Sequence, residues 1–84
     1  MEFTEIKKRI DSKKFYSASA IINNGFLPWI RSAMTFIAII KTPKGQELFK
    51  PIIRHVEKNK RYVIKGSDLL QAIEFIEKGQ NEKN

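Results

Sequence analysis

The feature that most limits the folds available to this chain of 84 residues is that it contains no cysteine. This absence excludes a disulfide framework, a thiolate zinc site and a cysteine nucleophile together. A chain of this length buries only roughly 60% of the surface that it exposes when unfolded, which leaves little core for a deep catalytic cleft. Hydrophobic residues at 42% and aromatic residues at 11% are too many for a disordered basic tail. The sequence therefore predicts one small domain with an apolar core.

Basic residues are concentrated in the middle of the chain. The net charge is +7, from 16 Lys and Arg against 9 Asp and Glu. Residues 1–12 are balanced, residues 13–65 hold eleven bases against two acids, and residues 66–84 hold two bases against four acids. This distribution predicts one positively charged face that attracts a polyanion from a distance. The alternative is a lysine-rich surface whose charge only keeps the protein soluble.

Catalysis is not expected from the motifs of this chain. The sequence has neither a Gly-rich phosphate loop ending in Lys-Ser/Thr nor a Gly-x-Ser-x-Gly motif. Glu74 and Glu77 lie at i and i+3, where paired carboxylates are ordinary charges of a helix surface. The single histidine, His55, cannot supply a multi-histidine metal site. We therefore predict no enzymatic activity, no metal, no cofactor and no small-molecule substrate.

The apolar stretch from Phe26 to Ile40 is too short to span a membrane. It has about 15 residues and contains Arg31, whereas a spanning helix needs roughly 20 apolar residues. The first eleven residues are charged and periodic, unlike a signal peptide. These features predict a soluble, cytoplasmic protein without a membrane partner.

Helical periodicity predicts two helices before residue 25. Phe3, Ile6 and Ile10 lie at i, i+3 and i+7 and form one apolar stripe. Ser17 or Ser19 is suited to cap a second short helix that continues to Ile22. Asn23-Asn24-Gly25 then ends this helix, with glycine in the left-handed conformation, and Phe26 and Leu27 pack inward across the turn.

A third helix is predicted over residues 28–41. Pro28 suits its first position, where the missing N–H costs nothing. We expect Trp29 to anchor this helix in the core. Apolar residues that follow at helical spacing, and are expected to face inward, include Trp29, Ile30, Ala33, Met34, Ile37 and Ile40.

The remaining segment predicts a β-hairpin and a last helix. β-Branched and aromatic residues dominate 52–56 and 61–64, and the polar residues 57–60 between them form a four-residue turn. Alternation places Tyr62 on the core and Arg61 outside. Leu69, Leu70, Ile73 and Ile76 form the stripe of the last helix, which Gly79 ends, and residues 80–84 are expected to be frayed.

Two runs of this sequence resemble excisionase-like domains, which are small winged relatives of the MerR DNA-binding domain. The run from Arg61 to Leu70, Arg-Tyr-Val-Ile-Lys-Gly-Ser-Asp-Leu-Leu, is similar to the wing-to-helix ending of that family. The run from Ser17 to Gly25 is similar to its first helix and turn, and residues 28–41 then occupy its recognition helix. The chain departs from the family in its apolar Leu27-Pro28-Trp29-Ile30 segment and in the longer stretch 42–51.

The resemblance implies a small α+β winged helix-turn-helix fold within one domain, residues 1–79. Its order is helix, helix-turn-helix, β-hairpin wing and C-terminal helix. It implies a sequence-specific double-stranded-DNA-binding protein of a phage or mobile element, either an excisionase-like architectural factor that acts in DNA recombination or a small transcriptional regulator. The partners it implies are duplex DNA, together with a recombinase or further copies of the chain on that DNA.

Candidate DNA contacts follow from this arrangement and from the distribution of charge. In the recognition helix they are Arg31, Ser32, Thr35 and Lys41, of which Arg31 either holds a guanine or is a solvated residue. In the wing and backbone-contacting group they are Lys58, Asn59, Lys60, Arg61, Lys13, Lys14 and Arg54.

Two other functions compete with DNA binding. A protein–protein adaptor would use Trp29, Phe36 and Phe26 as an exposed aromatic patch. An RNA-binding protein would need several exposed aromatic residues on a sheet to stack bases, and only Tyr62 lies on the predicted strands.

Overall fold

The computed structural model describes residues 3–82, which form a small α+β fold of five helices and a three-stranded antiparallel sheet. No helix within these residues is long and apolar enough to cross a membrane. The elements in chain order are α1 (Phe3–Arg9), β1 (Phe15–Ser17), α2 (Ala18–Asn23), α3 (Ala33–Ile40), α4 (Pro43–Phe49), β2 (Ile52–Val56), β3 (Asn59–Lys65) and α5 (Gly66–Glu82).

The sheet is centred on β3, with the strand order β1-β3-β2. β2 and β3 form the predicted hairpin, in which Ile52 lies opposite Val63 and Arg54 opposite Arg61. The turn has two residues, 57 and 58, and the predicted turn of four is wrong because Asn59 and Lys60 already pair with β2. The sequence did not indicate β1, whose three residues pair with the end of β3.

Glu57 occupies the left-handed region at this turn, with φ 56°. An L-residue other than Asn or Asp is strained there, whereas glycine is not. We expect Glu57→Gly to raise the free energy of unfolding by about 0.5–1 kcal/mol and the Tm by about 2–8 °C. Thermal unfolding at one fixed salt concentration measures the change. Glu57→Gln is the matched control, because it removes the charge and keeps the strain; a glycine variant no more stable than the glutamine variant would contradict the expectation.

The core lies between one face of the sheet and helices α2, α3 and α5. Phe36 and Ile40 of α3 enter it, and Phe36 packs edge-on against Phe49 of α4 with ring centroids 5.2 Å apart. Half-buried Tyr16 and Tyr62 cover its edge from the sheet, and Tyr62 therefore packs as predicted. The side chains that are almost completely removed from water are Phe36, Ile21, Leu27, Ile40, Ile64, Leu69 and Ile73.

Helix α1 is attached to the rest of the domain by polar contacts at two places. The Lys7 ammonium lies 3.1 Å from a carboxylate oxygen of Glu77 on α5, and both side chains are half-buried. The Arg9 guanidinium donates to the Asn24 carbonyl at 2.6 Å and lies 5.3 Å from the centre of the Phe26 ring. Ile6 and Ile10 are buried beneath these contacts, which confirms the predicted inward stripe.

The loop after α1 packs directly on the first turn of α5. The Gly66 N–H donates to the Lys14 carbonyl at 2.7 Å, and the Ser67 N–H donates to the Ser12 carbonyl at 3.1 Å. A Cβ atom on Gly66 would overlap the Asp11 carbonyl oxygen and lie 2.8 Å from its carbon. Glycine is therefore required here by the close approach of two backbones.

The third helix begins five residues later than predicted. The Ser32 hydroxyl caps it by accepting from the Thr35 N–H at 3.1 Å, so the helix starts at Ala33. Residues 28–32 form a turn and an extended approach instead, and Pro28 is exposed. With Trp29 and Ile30 outside the helix, its inward face is that of residues 33, 36, 37 and 40, so Phe36 enters the core and Met34, expected inside, is 82% exposed.

Two further bounds differ from prediction. The Thr42 hydroxyl accepts from the Gly45 N–H and caps α4, a seven-residue helix that was not predicted from the sequence. α5 runs through Gly79 to Glu82, so the prediction that Gly79 ends the last helix and that residues 80–82 are frayed is wrong. Residues 83 and 84 lie outside the described part of the chain.

Candidate nucleic-acid interface

Helices α2 and α3 are joined by a nine-residue connection, residues 24–32, whose first part local sequence chemistry explains. The Ser17 hydroxyl caps α2 by accepting from the Ala20 N–H at 3.1 Å, as predicted. After α2, Gly25 has the left-handed φ of 71° that the sequence indicated. Phe26 and Leu27 then turn into the core, as expected. The connection returns the chain so that α3 packs against α2.

The predicted contact residues of the third helix mostly flank it. Arg31 precedes the cap, Ser32 is the cap and Lys41 follows the last helical residue, so only Thr35 lies within α3. The expectation that Arg31 and Ser32 occupy the first helical turn is therefore wrong. The Ser32 and Thr35 hydroxyls lie 2.9 Å apart and bond to each other, which engages both in the cap.

The C-terminal end of α3 adjoins the hairpin. The Lys41 ammonium lies 5.8 Å from the centre of the Tyr62 ring on β3. Beside this contact, Ile37 and the start of α2 face Lys60 and Arg61 across an open hollow of about 370 Å³. The exposed end of α3 and the basic hairpin thus form one continuous surface.

Two arginines lie directly opposite each other on the outer face of the sheet. Arg54 of β2 pairs with Arg61 of β3, which places their Cβ atoms about 4.5–5.5 Å apart. The Arg54 guanidinium also lies 4.8 Å from the centre of the Phe15 ring. Like charges in directly opposed positions destabilise a sheet. This pair is therefore a local concentration of charge that favours an anionic ligand.

The basic side chains of residues 13–65 have no acidic partner among the side chains that the structure describes. The ion pairs found between residues 3 and 82 join Lys7 to Glu77 and Lys8 to Glu5, all outside this segment. Each base of the segment is exposed. Unpaired, exposed charge of one sign creates a potential that steers anionic ligands to the surface.

The predicted backbone-contacting residues do not all come together. Lys58 lies in the hairpin turn, and Asn59 and Arg61 share the outer face with Arg54, whereas Lys60 alternates to the other face. Lys13 and Lys14 lie before β1, beside the opposite end of β3. At about 3.4 Å per residue, the length of β3 separates them from the turn by roughly 20 Å.

The aromatic patch of the adaptor hypothesis does not form. Phe26 and Phe36 are buried, with 3% and 0% exposure. Trp29 is 40% exposed, so its expected role as a core anchor is wrong; its ring packs against Phe3 at the surface, with centroids 6.0 Å apart. An adaptor would retain only one of its three proposed aromatic residues.

Several exposed residues near this surface were not predicted. Met34, Ala38 and Ile39 line the outer side of α3, and Phe15 lies beside Arg54. The exposure of the first three could have been predicted from the stripe of residues 33, 36, 37 and 40. When this stripe faces the core of a helix that starts after Ser32, residues 34, 38 and 39 lie outside. Phe15 gave no comparable signal because β1 has only three residues.

Comparison with protein-family models, with curated proteins and with solved structures finds no match to the chain. Within residues 3–82, no three His, Asp or Glu side chains come together in a group that could hold a metal ion.

Proposed function

We propose that the chain is a sequence-specific double-stranded-DNA-binding protein of the winged helix-turn-helix type. In this assignment α2 and α3 form the helix-turn-helix and the β2–β3 hairpin is the wing. The observation that carries the proposal is the continuous surface formed by the end of α3 and the hairpin, where Lys41 and Lys60 have no acidic partner among the described side chains. Such unpaired bases match the phosphate backbone, which dominates the affinity of DNA-binding proteins.

The parts of this surface have different roles. An α-helix fits the major groove, where each base pair presents its own pattern of groups, and α3 is the helix whose outer side is free. Arg31, which precedes the Ser32 cap of α3, would reach a base edge from beside that helix. Arg54 and Arg61 on the wing contact phosphates or enter a narrow minor groove.

The biological role is proposed from the resemblance to excisionase-like domains. An architectural factor in the recombination of a phage or mobile element, or a small transcriptional regulator, would use a domain of this size and charge. Its partners would be duplex DNA and, on that DNA, a recombinase or further copies of the chain. The proposal includes no catalytic role.

Selection from randomised duplex DNA, followed by sequencing, tests sequence-specific binding. We expect a motif to be enriched with the wild-type protein. Arg31→Ala should reduce the discrimination between bases at one position of the motif by about 1–3 kcal/mol, because it removes a base contact and leaves phosphate contacts intact. Lys78→Ala, an exposed charge on α5, is the matched control and should leave the motif unchanged. Weak bulk binding without any enriched motif would reduce the protein to a general basic factor.

A further inference from the structure

The outer side of α3 is almost entirely apolar. Met34 is 82% exposed, Ile39 is 36% exposed and Ala38 is exposed between them, on the side away from buried Phe36 and Ile40. A surface helix normally carries charged or polar residues on this side. The outer side of α3 is therefore suited to contact a ligand that carries apolar groups.

Hydrogen-bonding side chains are scarce on this helix. Thr35 is the one polar residue between 33 and 40, and its hydroxyl is already bonded to that of Ser32. Lys41 lies over the Tyr62 ring beyond the end of the helix. The outer side of α3 thus has no amide or guanidinium fork with which to read adenine or guanine.

We infer that α3 recognises the C5-methyl groups of thymine, with Met34 and Ala38 as the contacting residues, so that the preferred DNA is rich in A·T base pairs. The inference rests on the proposed function, because it requires α3 to lie in the major groove. The thymine methyl is the apolar group that base pairs present there, and apolar side chains are its usual contacts. Arginines of the wing favour the same sequences, since the narrow minor groove of A-tracts attracts them.

The charges near the outer side of α3 favour DNA over a protein as its ligand. Arg31 precedes α3, Lys41 follows it and Lys60 faces its Ile37 across the hollow, while the segment 13–65 holds only two acids. The occupant must therefore be apolar in the middle and negatively charged at both sides. The major groove of an A·T-rich duplex has that arrangement, because its thymine methyls lie between two rows of phosphates.

The experiment compares a duplex of A·T base pairs with the same duplex in which uracil replaces every thymine, by fluorescence anisotropy at one salt concentration. Removal of each methyl group that α3 touches should weaken binding about fourfold, so that two such groups give roughly tenfold or more. A second pair of duplexes, G·C-rich with cytosine or with 5-methylcytosine, restores a methyl at the same ring position. Binding to the methylated member should be tighter.

Two variants locate the effect on α3. Met34→Ala should reduce the thymine-to-uracil affinity ratio about fourfold, because the methyl no longer has its partner. Phe75→Ala is the matched control; Phe75 is also an exposed apolar residue on a helix, 67% exposed on α5, and its removal should leave the ratio unchanged. Both side chains lie mainly in solvent, so both variants should fold, which circular dichroism checks.

The outcomes separate the two proposals. Equal affinity for the thymine and uracil duplexes, with binding that still weakens in salt, would overturn thymine recognition and leave DNA binding standing. A ratio that survives Met34→Ala unchanged would overturn the role of this helix face and indicate that it serves another partner, such as a protein. An absence of binding to every duplex at low salt would overturn the proposed function itself.

Discussion

Replacing Gly66 by alanine should lower the free energy of unfolding by at least about 3 kcal/mol, and the Tm by at least about 12 °C. The added Cβ would overlap the Asp11 carbonyl oxygen and lie 3.0 Å from the Ser12 Cα. Both obstacles are backbone atoms, which cannot move aside as a flexible side chain can. Relief requires the loop to leave α5, and this breaks the hydrogen bonds that Gly66 and Ser67 donate to it.

Gly79→Ala is the matched control for this prediction, since it makes the same substitution in the same helix. A Cβ atom at Gly79 would meet nothing within 4 Å. Alanine there should raise the free energy of unfolding by about 0.5–1 kcal/mol, because glycine weakens a helix interior. Chemical denaturation of the two variants measures both changes. Similar stabilities for the two variants would show that the loop of residues 11–14 does not pack on α5 as described.

The triple variant Lys58→Ala/Lys60→Ala/Arg61→Ala should bind every duplex roughly 100- to 500-fold more weakly near 0.1 M salt. Each phosphate contact contributes about 0.9 to the slope of log Kobs against log[salt], so the slope should fall by about 2.7. The three side chains are exposed, and their removal should leave the fold intact. Anisotropy titrations across a salt series measure affinity and slope together.

A second triple variant, Lys8→Ala/Lys44→Ala/Lys78→Ala, distinguishes local charge from total charge. Both triples reduce the net charge from +7 by three, to +4. The control residues are exposed on α1, α4 and α5, outside the hairpin. They should lower the affinity by less than about tenfold, through long-range attraction alone. Equal decreases in the two triples would rule out the hairpin as the contact surface.

Local chemistry accounts for the elements that the sequence predicted well. The Ser17 cap, the left-handed Gly25 and the hairpin arms depend on a few neighbouring residues, and each is present in the structure. The stripe of the last helix likewise follows from its own period, with Leu69 and Ile73 buried. These features were predictable because no distant contact is needed to specify them.

The residue at which α3 begins could not be predicted from local sequence preferences alone. Pro28 suits a first helical position and Ser32 suits a cap, so local preference permits two starting points. Tertiary packing selects the later one, because it buries Phe36 against Phe49. With this starting point, Met34 faces outward, on the side of α3 that the proposed site would use.

The sequence predicted which basic residues belong to the candidate site, but it did not predict how they are arranged in space. The basic residues of the hairpin were identified from the concentration of charge, and they are exposed. The pairing of Arg54 with Arg61 depends on the strand register, which the shorter turn determines. The distance of Lys13 and Lys14 from the turn follows from β1, a strand too short to have a recognisable sequence pattern.

The opposed arginines on β2 and β3 couple folding to ligand binding. In the free protein their repulsion lowers the stability of the hairpin, and added salt screens it. If the domain binds DNA as proposed, salt has opposite effects on the two equilibria: it strengthens the fold of the free domain and weakens binding to DNA. Because a bound polyanion would neutralise the pair where salt only screens it, we expect DNA to stabilise the fold and to raise the Tm with its concentration.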